Sequence, residues 1–317
     1  MKSLLYYIAV AFLFVLNKLP MCVLHFLSTL VYYPVYYILR YRRKVVRDNL
    51  VKSFPEKELK EVVAIEKKFY RCMCDHFMEM IKLYGMSEAE VKRRMRFEGV
   101  EKMQEVLDRG QSCVLYMGHF FNWEFVTAMP LFVGGDDVVV GDIYHPLENR
   151  RFDALTKKMR DQYGAESITM ANTLRRIMQI KKENKNYLIG FIADQVPTWE
   201  SINHWIDFLH RDTPVFTGTE KIAQRTNAAL FYARMERVKR GYYVLHVEKF
   251  ADDASLLPEF EPTNIYYRKL TENIRQSPEL WLWTHKRWKR TRQGYAERER
   301  RREQDRKRLI ENGKKSV

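Results

Sequence analysis

Ser112-Cys-Val-Leu-Tyr-Met-Gly-His-Phe-Phe-Asn-Trp-Glu124 changes character twice within thirteen residues. Residues 112–117 form a short β-rich run. Gly118 then lets the backbone turn sharply and approach a ligand closely. Asn122 is a residue type that caps helices, which predicts a helix from Trp123 with Glu124 in its first turn. In open α/β sheets, ligands bind where strands end and helices begin, and His119 falls at such a place. A carboxylate reaching back to an imidazole fixes its tautomer and stabilises the imidazolium. His119 with Glu124 therefore reads as a supported general base, able to draw a proton from an alcohol as a carbonyl is attacked. The His-x4-Glu spacing alone is weak, because both residue types are common.

Further β-rich runs follow at 137–142, 187–193, 229–234 and 242–248, separated for the most part by helical patterns at 123–132, 151–163, 172–185 and 218–226. This alternation predicts an α/β fold with a central, largely parallel sheet flanked by helices. Lys239-Arg240-Gly241 joins the last two runs as a hairpin, which makes the sheet mixed. Ahead of the first run, residues 55–84 place Ile65, Phe69, Met73, Phe77 and Met80 at helical spacing, and Ser87-Glu-Ala-Glu90 resembles a capping box. There is no internal repeat and no Gly/Ser linker. The partition expected is an anchor over 1–40, a catalytic domain over 41–290 and a basic tail over 291–317.

Residues 4–16 are uninterruptedly apolar, and a second apolar run over 21–39 is broken only by His25, Ser28, Thr29 and Pro34. Thirteen helical residues rise only about 20 Å, short of a bilayer core. The second run is nearly long enough, but it carries a mid-segment proline and many interface-seeking tyrosines. No small-x-small cleavage site follows the first run, which argues against a cleaved signal peptide. Arg40-Tyr-Arg-Arg-Lys-Val-Val-Arg47 follows directly and should stay cytoplasmic. The region reads as a shallow or singly spanning membrane anchor, against the alternative of a buried hydrophobic hairpin.

The net charge is +15, and residues 286–317 hold 14 Lys/Arg against 5 Asp/Glu. Such a tail is a solvated helix or frayed end that attracts anionic head groups or an acidic partner. The apolar N-terminus and the lack of any recognisable module argue against nucleic acid. Four cysteines in so long a chain make no disulfide framework and point to a reducing compartment. Cys72, Cys74 and His76 lack the second ligand cluster a metal site needs, so no metal is expected.

Gly118-His-Phe-Phe-Asn-Trp-Glu124 resembles the His-x4-Asp/Glu motif of the lysophosphatidate/glycerolphosphate acyltransferase superfamily. With its glutamate and the segments around it, the chain is similar to the late acyltransferases of lipid A biosynthesis, the lauroyl/myristoyl transferase family. Asp48-Asn-Leu-Val-Lys-Ser-Phe-Pro55, Ile143-Tyr-His-Pro-Leu-Glu-Asn149, Ala193-Asp-Gln195 and the closing Pro278-Glu-Leu-Trp-Leu-Trp-Thr-His-Lys-Arg-Trp-Lys289 match further family segments in order.

The resemblance implies a glycerolphosphate acyltransferase-like fold. It also implies acyl transfer from acyl carrier protein to a hydroxyl of a lipid A precursor, on the cytoplasmic face of the inner membrane, with no cofactor beyond the thioester co-substrate. It places His119 as base and Glu124 as its partner. Arg160 would hold an acidic group or the developing oxyanion, Asp194 and Gln195 would orient that arginine or the substrate, and His145 and Asn149 would meet the acceptor. His145 stands where the family often has arginine, and a neutral imidazole cannot make that residue's bidentate, permanently charged contact. A different lipid hydroxyl as acceptor is the nearest alternative, and a basic membrane-bound scaffold the non-enzymatic one. Trp283, His285 and Trp288 read as core packing.

Overall fold

A computed structural model describes residues 2–314. In chain order the helices are α1 (Lys2–Lys18), α2 (Met21–Tyr33), α3 (Arg43–Ser53), α4 (Leu59–Leu83), α5 (Glu88–Arg94), α6 (Glu101–Asp108), α7 (Arg150–Asp161), α8 (Thr173–Lys182), α9 (Gly218–Thr226), α10 (Glu261–Gln276) and α11 (Arg292–Lys314). The strands are β1 (Met95–Glu98), β2 (Cys113–Met117), β3 (Val138–Tyr144), β4 (Glu166–Thr169), β5 (Asn186–Ile192), β6 (His204–Asp207), β7 (Asp212–Val215), β8 (Ala229–Lys239) and β9 (Tyr242–Ala251).

Seven strands form one sheet in the order β1-β9-β8-β2-β5-β3-β4, and β6 and β7 pair as a separate ribbon. All neighbours in the large sheet are parallel except β8 and β9. β2 lies at its centre with every residue buried, which is why its sequence is an unbroken apolar run. The five strands expected from the sequence are all present. The edge strands β1 and β4 escaped that reading because each is four residues long and mixed in polarity.

The expected turn joins β8 to β9. Gly241 there has φ +76, and a Cβ would come within 2.8 Å of the His25 ring, so only glycine fits. The predicted helix after His119 is a 3-10 helix over Trp123–Leu131. Pro130, which has no N–H to donate, falls in its last turn. Asn122 caps it as expected, accepting from the Glu124 N–H at 3.3 Å.

The apolar N-terminus supplies a helix that could act as the expected anchor, with one face seated on the body. α2 packs on α4 through the residues that interrupt its apolar run. Ser28 donates to Asp75 at 2.6 Å, His25 meets Glu79 at 2.9 Å, and Tyr36 just beyond donates to Glu66 at 2.9 Å. Its other face leaves Val23, Phe26, Leu30, Val31 and Tyr33 exposed. The stretch Met21–Ile38 is apolar and long enough to cross a membrane by length and composition, yet about a quarter of it is buried against the body. Cys72, Cys74 and His76 do not converge. Cys72 accepts from Arg237, and His76 pairs with Asn122.

Candidate active site

The register of two neighbouring strands builds the site. Met117 of β2 pairs with Ile192 of β5, so two residues further on His119 and Asp194 leave the sheet side by side. Adjacent tyrosines of α10 fix both strand ends: Tyr266 donates to the Met117 carbonyl and Tyr267 to the Ala193 carbonyl, each at 3.0 Å. Gly118 lies against Leu270 of the same helix, where a Cβ would come within 2.6 Å of that side chain. The segment after His119 is held by a backbone bridge between Phe120 and Trp281 and by a bond from Phe121 N–H to the Leu280 carbonyl at 3.0 Å.

Three donors converge on Asp194, which is buried. The His119 ring Nδ1 lies 2.5 Å from one carboxylate oxygen. The His119 backbone N–H and the Trp281 indole N–H reach the other at 2.8 and 2.7 Å. Burial alone would raise this carboxyl's pKa, but the facing imidazole and these hydrogen bonds outweigh it and hold the pKa below the ordinary range. An ionised carboxylate only accepts, so the Nδ1 atom carries the proton and Nε2 presents its lone pair. The Gln195 amide nitrogen sits 3.2 Å from that Nε2. The imidazole is partly exposed and lines a cleft of about 660 Å³.

The expected contact between Glu124 and His119 is not made. Glu124 instead takes a two-pronged bond from Arg160 of α7, at 2.6 and 2.9 Å, and accepts from the Trp123 indole at 3.1 Å. Burial pushes its pKa up, but the hydrogen bonds and charge of Arg160 pull it further down. The geometry has a simple cause. The chain turns sharply after Gly118, and Asn122 directs the next helix so that Glu124 faces α7, leaving the imidazole edge to the neighbouring strand. Arg160 was expected to lie near Asp194 or the substrate. Its guanidinium is paired with Glu124 and lies over the Tyr144 ring at 5.7 Å, and it lines the same cleft.

The family model described as bacterial lipid A biosynthesis acyltransferase matches residues 1–290. The chain belongs to that family. It is thus an acyltransferase of lipid A biosynthesis, and its apolar N-terminal helix fits the membrane association of the family. No curated protein matches the chain. α11 lies beyond the matched residues and ties back through Arg298 and Arg302, which both reach Glu200.

The remaining candidates in this acyltransferase divide. Gln195 and His145 line the cleft, His145 as an exposed ring. Asn149 instead caps α7, accepting from Arg151 N–H at 3.0 Å. His285 accepts the Val196 N–H at 3.4 Å and steadies the turn after Asp194-Gln195; burial lowers its pKa to about 4 and keeps it neutral. Trp281, the indole on Asp194, carried no signal of its own in a segment that read as packing.

Asp142 of β3 was also missed. It lines the cleft, and its Oδ1 is buried without a hydrogen-bond partner. Burial, reinforced by the charges of Glu124 and Asp161 and opposed by Arg160 and Lys157, raises its pKa to about 7. A carboxyl whose pKa rises on folding fits the fold below its unfolded value, and that advantage disappears as pH climbs through the folded one. Asp142→Asn should therefore gain stability relative to wild type as pH rises from about 4 to about 7, reaching a plateau of about 2–4 kcal/mol by pH 8. Denaturant midpoints across that range give the slope. A difference independent of pH would show that Asp142 does not titrate this way.

Proposed function

We propose that the protein moves a fatty acyl chain from an acyl carrier protein thioester to a hydroxyl of a lipid A precursor, at the cytoplasmic face of the inner membrane, with His119 as general base. One observation carries the reading: the imidazole is held at Nδ1 by a buried carboxylate while Nε2 faces the cleft. As the hydroxyl oxygen attacks the thioester carbonyl, Nε2 takes its proton. The tetrahedral intermediate then expels the thiolate, which recovers that proton from the imidazolium. Gln195 occupies the Nε2 lone pair at rest, so the acceptor hydroxyl replaces it. Asp194 orients the ring in place of Glu124. Arg160, fixed by Glu124, offers its remaining N–H edge to the oxyanion or to an acidic group of the acceptor. The apolar cleft wall, including Met129, Val140, Leu188 and Ile222, suits an acyl chain. No cofactor enters, because the thioester is already activated. No Ser or Cys sits in a nucleophile elbow, which favours direct transfer in a ternary complex.

The test is to incubate the full-length protein with acyl carrier protein thioesters and lipid A precursor and to weigh the lipid product. Gain of one acyl mass supports the reading, and no gain with any chain length removes it. Acyl carrier proteins are acidic and this chain is strongly basic. The KM for the carrier donor should rise about ten-fold between about 0.05 and about 0.5 M salt. A salt-independent KM, or preference for a coenzyme A thioester, would contradict the carrier as donor.

A further inference from the structure

A second cavity, of about 350 Å³, lies between α2, α4 and the turn joining β8 to β9, and it shares no lining residue with the cleft. Its floor is built around Asp75, which is buried. Arg237 donates to this carboxylate at 2.8 Å and Arg240 at 3.0 Å, so two guanidinium groups meet one negative charge. At the mouth stand Lys68 and Arg71, both exposed. Among the described residues neither has a carboxylate within ion-pair distance, and Arg71 lies over the Tyr32 ring at 5.1 Å. Glu279 is the other acidic lining residue, so four cations face two anions.

This donor set suits a phosphate. With Arg237 and Arg240 engaged by Asp75 and its neighbours, the Arg71 fork and the Lys68 ammonium match its several acceptor oxygens, and the surplus positive charge favours a charged ligand over a neutral sugar or amide. The surroundings say where the phosphate comes from. α2 supplies Ser28 and Tyr32 to the cavity, and its next stripe, one helical step around, exposes Phe26, Leu30 and Tyr33. A cavity walled by charged side chains beside an exposed apolar helix face is the arrangement a lipid needs, with head group and chains on adjacent surfaces. We infer that this cavity binds the phosphate of an anionic membrane lipid, with Lys68 and Arg71 contacting it and the acyl chains lying along the exposed face of α2. The inference does not depend on the acyl-transfer reading, because none of these residues belongs to the cleft.

The test is flotation of the full-length protein with phosphatidylcholine vesicles, with or without phosphatidylglycerol. Wild type should partition more strongly onto the anionic vesicles. Lys68→Glu/Arg71→Glu should reduce that preference about ten-fold. Thr29 also lines the cavity, and Thr29→Trp fills its mouth without changing charge, so it should reduce the preference similarly, read as the ratio of anionic to neutral binding because the added indole itself favours any bilayer interface. If Thr29→Trp keeps the wild-type preference, the attraction is diffuse surface charge and the pocket assignment falls. Inorganic phosphate, added at matched ionic strength against chloride, separates the two sources of the anion. No displacement from anionic vesicles supports the lipid, whereas full displacement would make the site one for free phosphate and overturn the lipid assignment. The melting temperature of each variant identifies a folding failure. Should Thr29→Trp not fold, Ser28→Thr narrows the same cavity by one methyl group and must weaken the preference in the same direction, or the inference fails.

Discussion

Replacing His119 with alanine should lower acyl transfer by about 10³-fold or more while changing the melting temperature little. General base catalysis contributes roughly 10²–10⁴-fold, and His119 is the imidazole in the cleft whose Nδ1 a buried carboxylate holds. The fold should tolerate the change because Asp194 keeps two of its three donors, the residue-119 backbone N–H and the Trp281 indole. The carboxylate is thus not left buried and bare, the situation that makes single-partner deletions costly. Turnover of the carrier thioester, measured with the melting curve on the same preparation, separates the two effects. Near-normal turnover would exclude His119 as the base. Loss of turnover with collapse of the fold would instead make the imidazole a structural partner of Asp194.

The sequence made β2 and its turn readable because a fully buried central strand is an apolar run, and because glycine before a reactive residue marks a tight exit. It could not make the His119–Asp194 pair readable. That contact depends on β2 and β5 being neighbours and on Met117 pairing with Ile192, and neither is a local property of either segment. The nearby carboxylate, Glu124, was therefore the natural but incorrect choice of partner for the ring. Its true partner, Arg160, was named from the resemblance but assigned to a different contact. The same limit shaped the reading of the N-terminus. His25 and Ser28 looked like blemishes in an apolar segment, yet they are the contacts that seat α2 on Glu79 and Asp75. Glu79 also accepts from Asn122 at 3.2 Å and from Tyr243 at 2.7 Å, so a buried polar network links α2 to the cap of the helix carrying Glu124.

Asp194→Asn and Glu124→Gln should fail in different ways, and the contrast decides which carboxylate serves the base. In Asp194→Asn the amide oxygen can still accept from the residue-119 N–H and Trp281, so stability should fall modestly. Its NH₂ would face Nδ1, however, and favour the tautomer with the proton on Nε2. That removes the lone pair needed for proton abstraction, and kcat should fall by about 10⁴-fold, the scale seen when such an orienting carboxylate is lost. Glu124→Gln should cost mainly stability, about 2–4 kcal/mol, because Arg160 keeps its charge in a largely buried position and loses its anion. Its kcat should drop less than that of Asp194→Asn, through a loosened Arg160 rather than a wrong tautomer. Acid should test both carboxylates. Both carboxyls are held below their ordinary range, so each stabilises the fold above its unfolded pKa, and that contribution fades as pH falls through the folded value. Glu124→Gln should remove its share of this acid sensitivity, and Asp194→Asn the share that Asp194 contributes. If Glu124→Gln abolished turnover at wild-type stability while Asp194→Asn remained active, Glu124 would be the orienting residue and the pairing described here would not be the one used in catalysis.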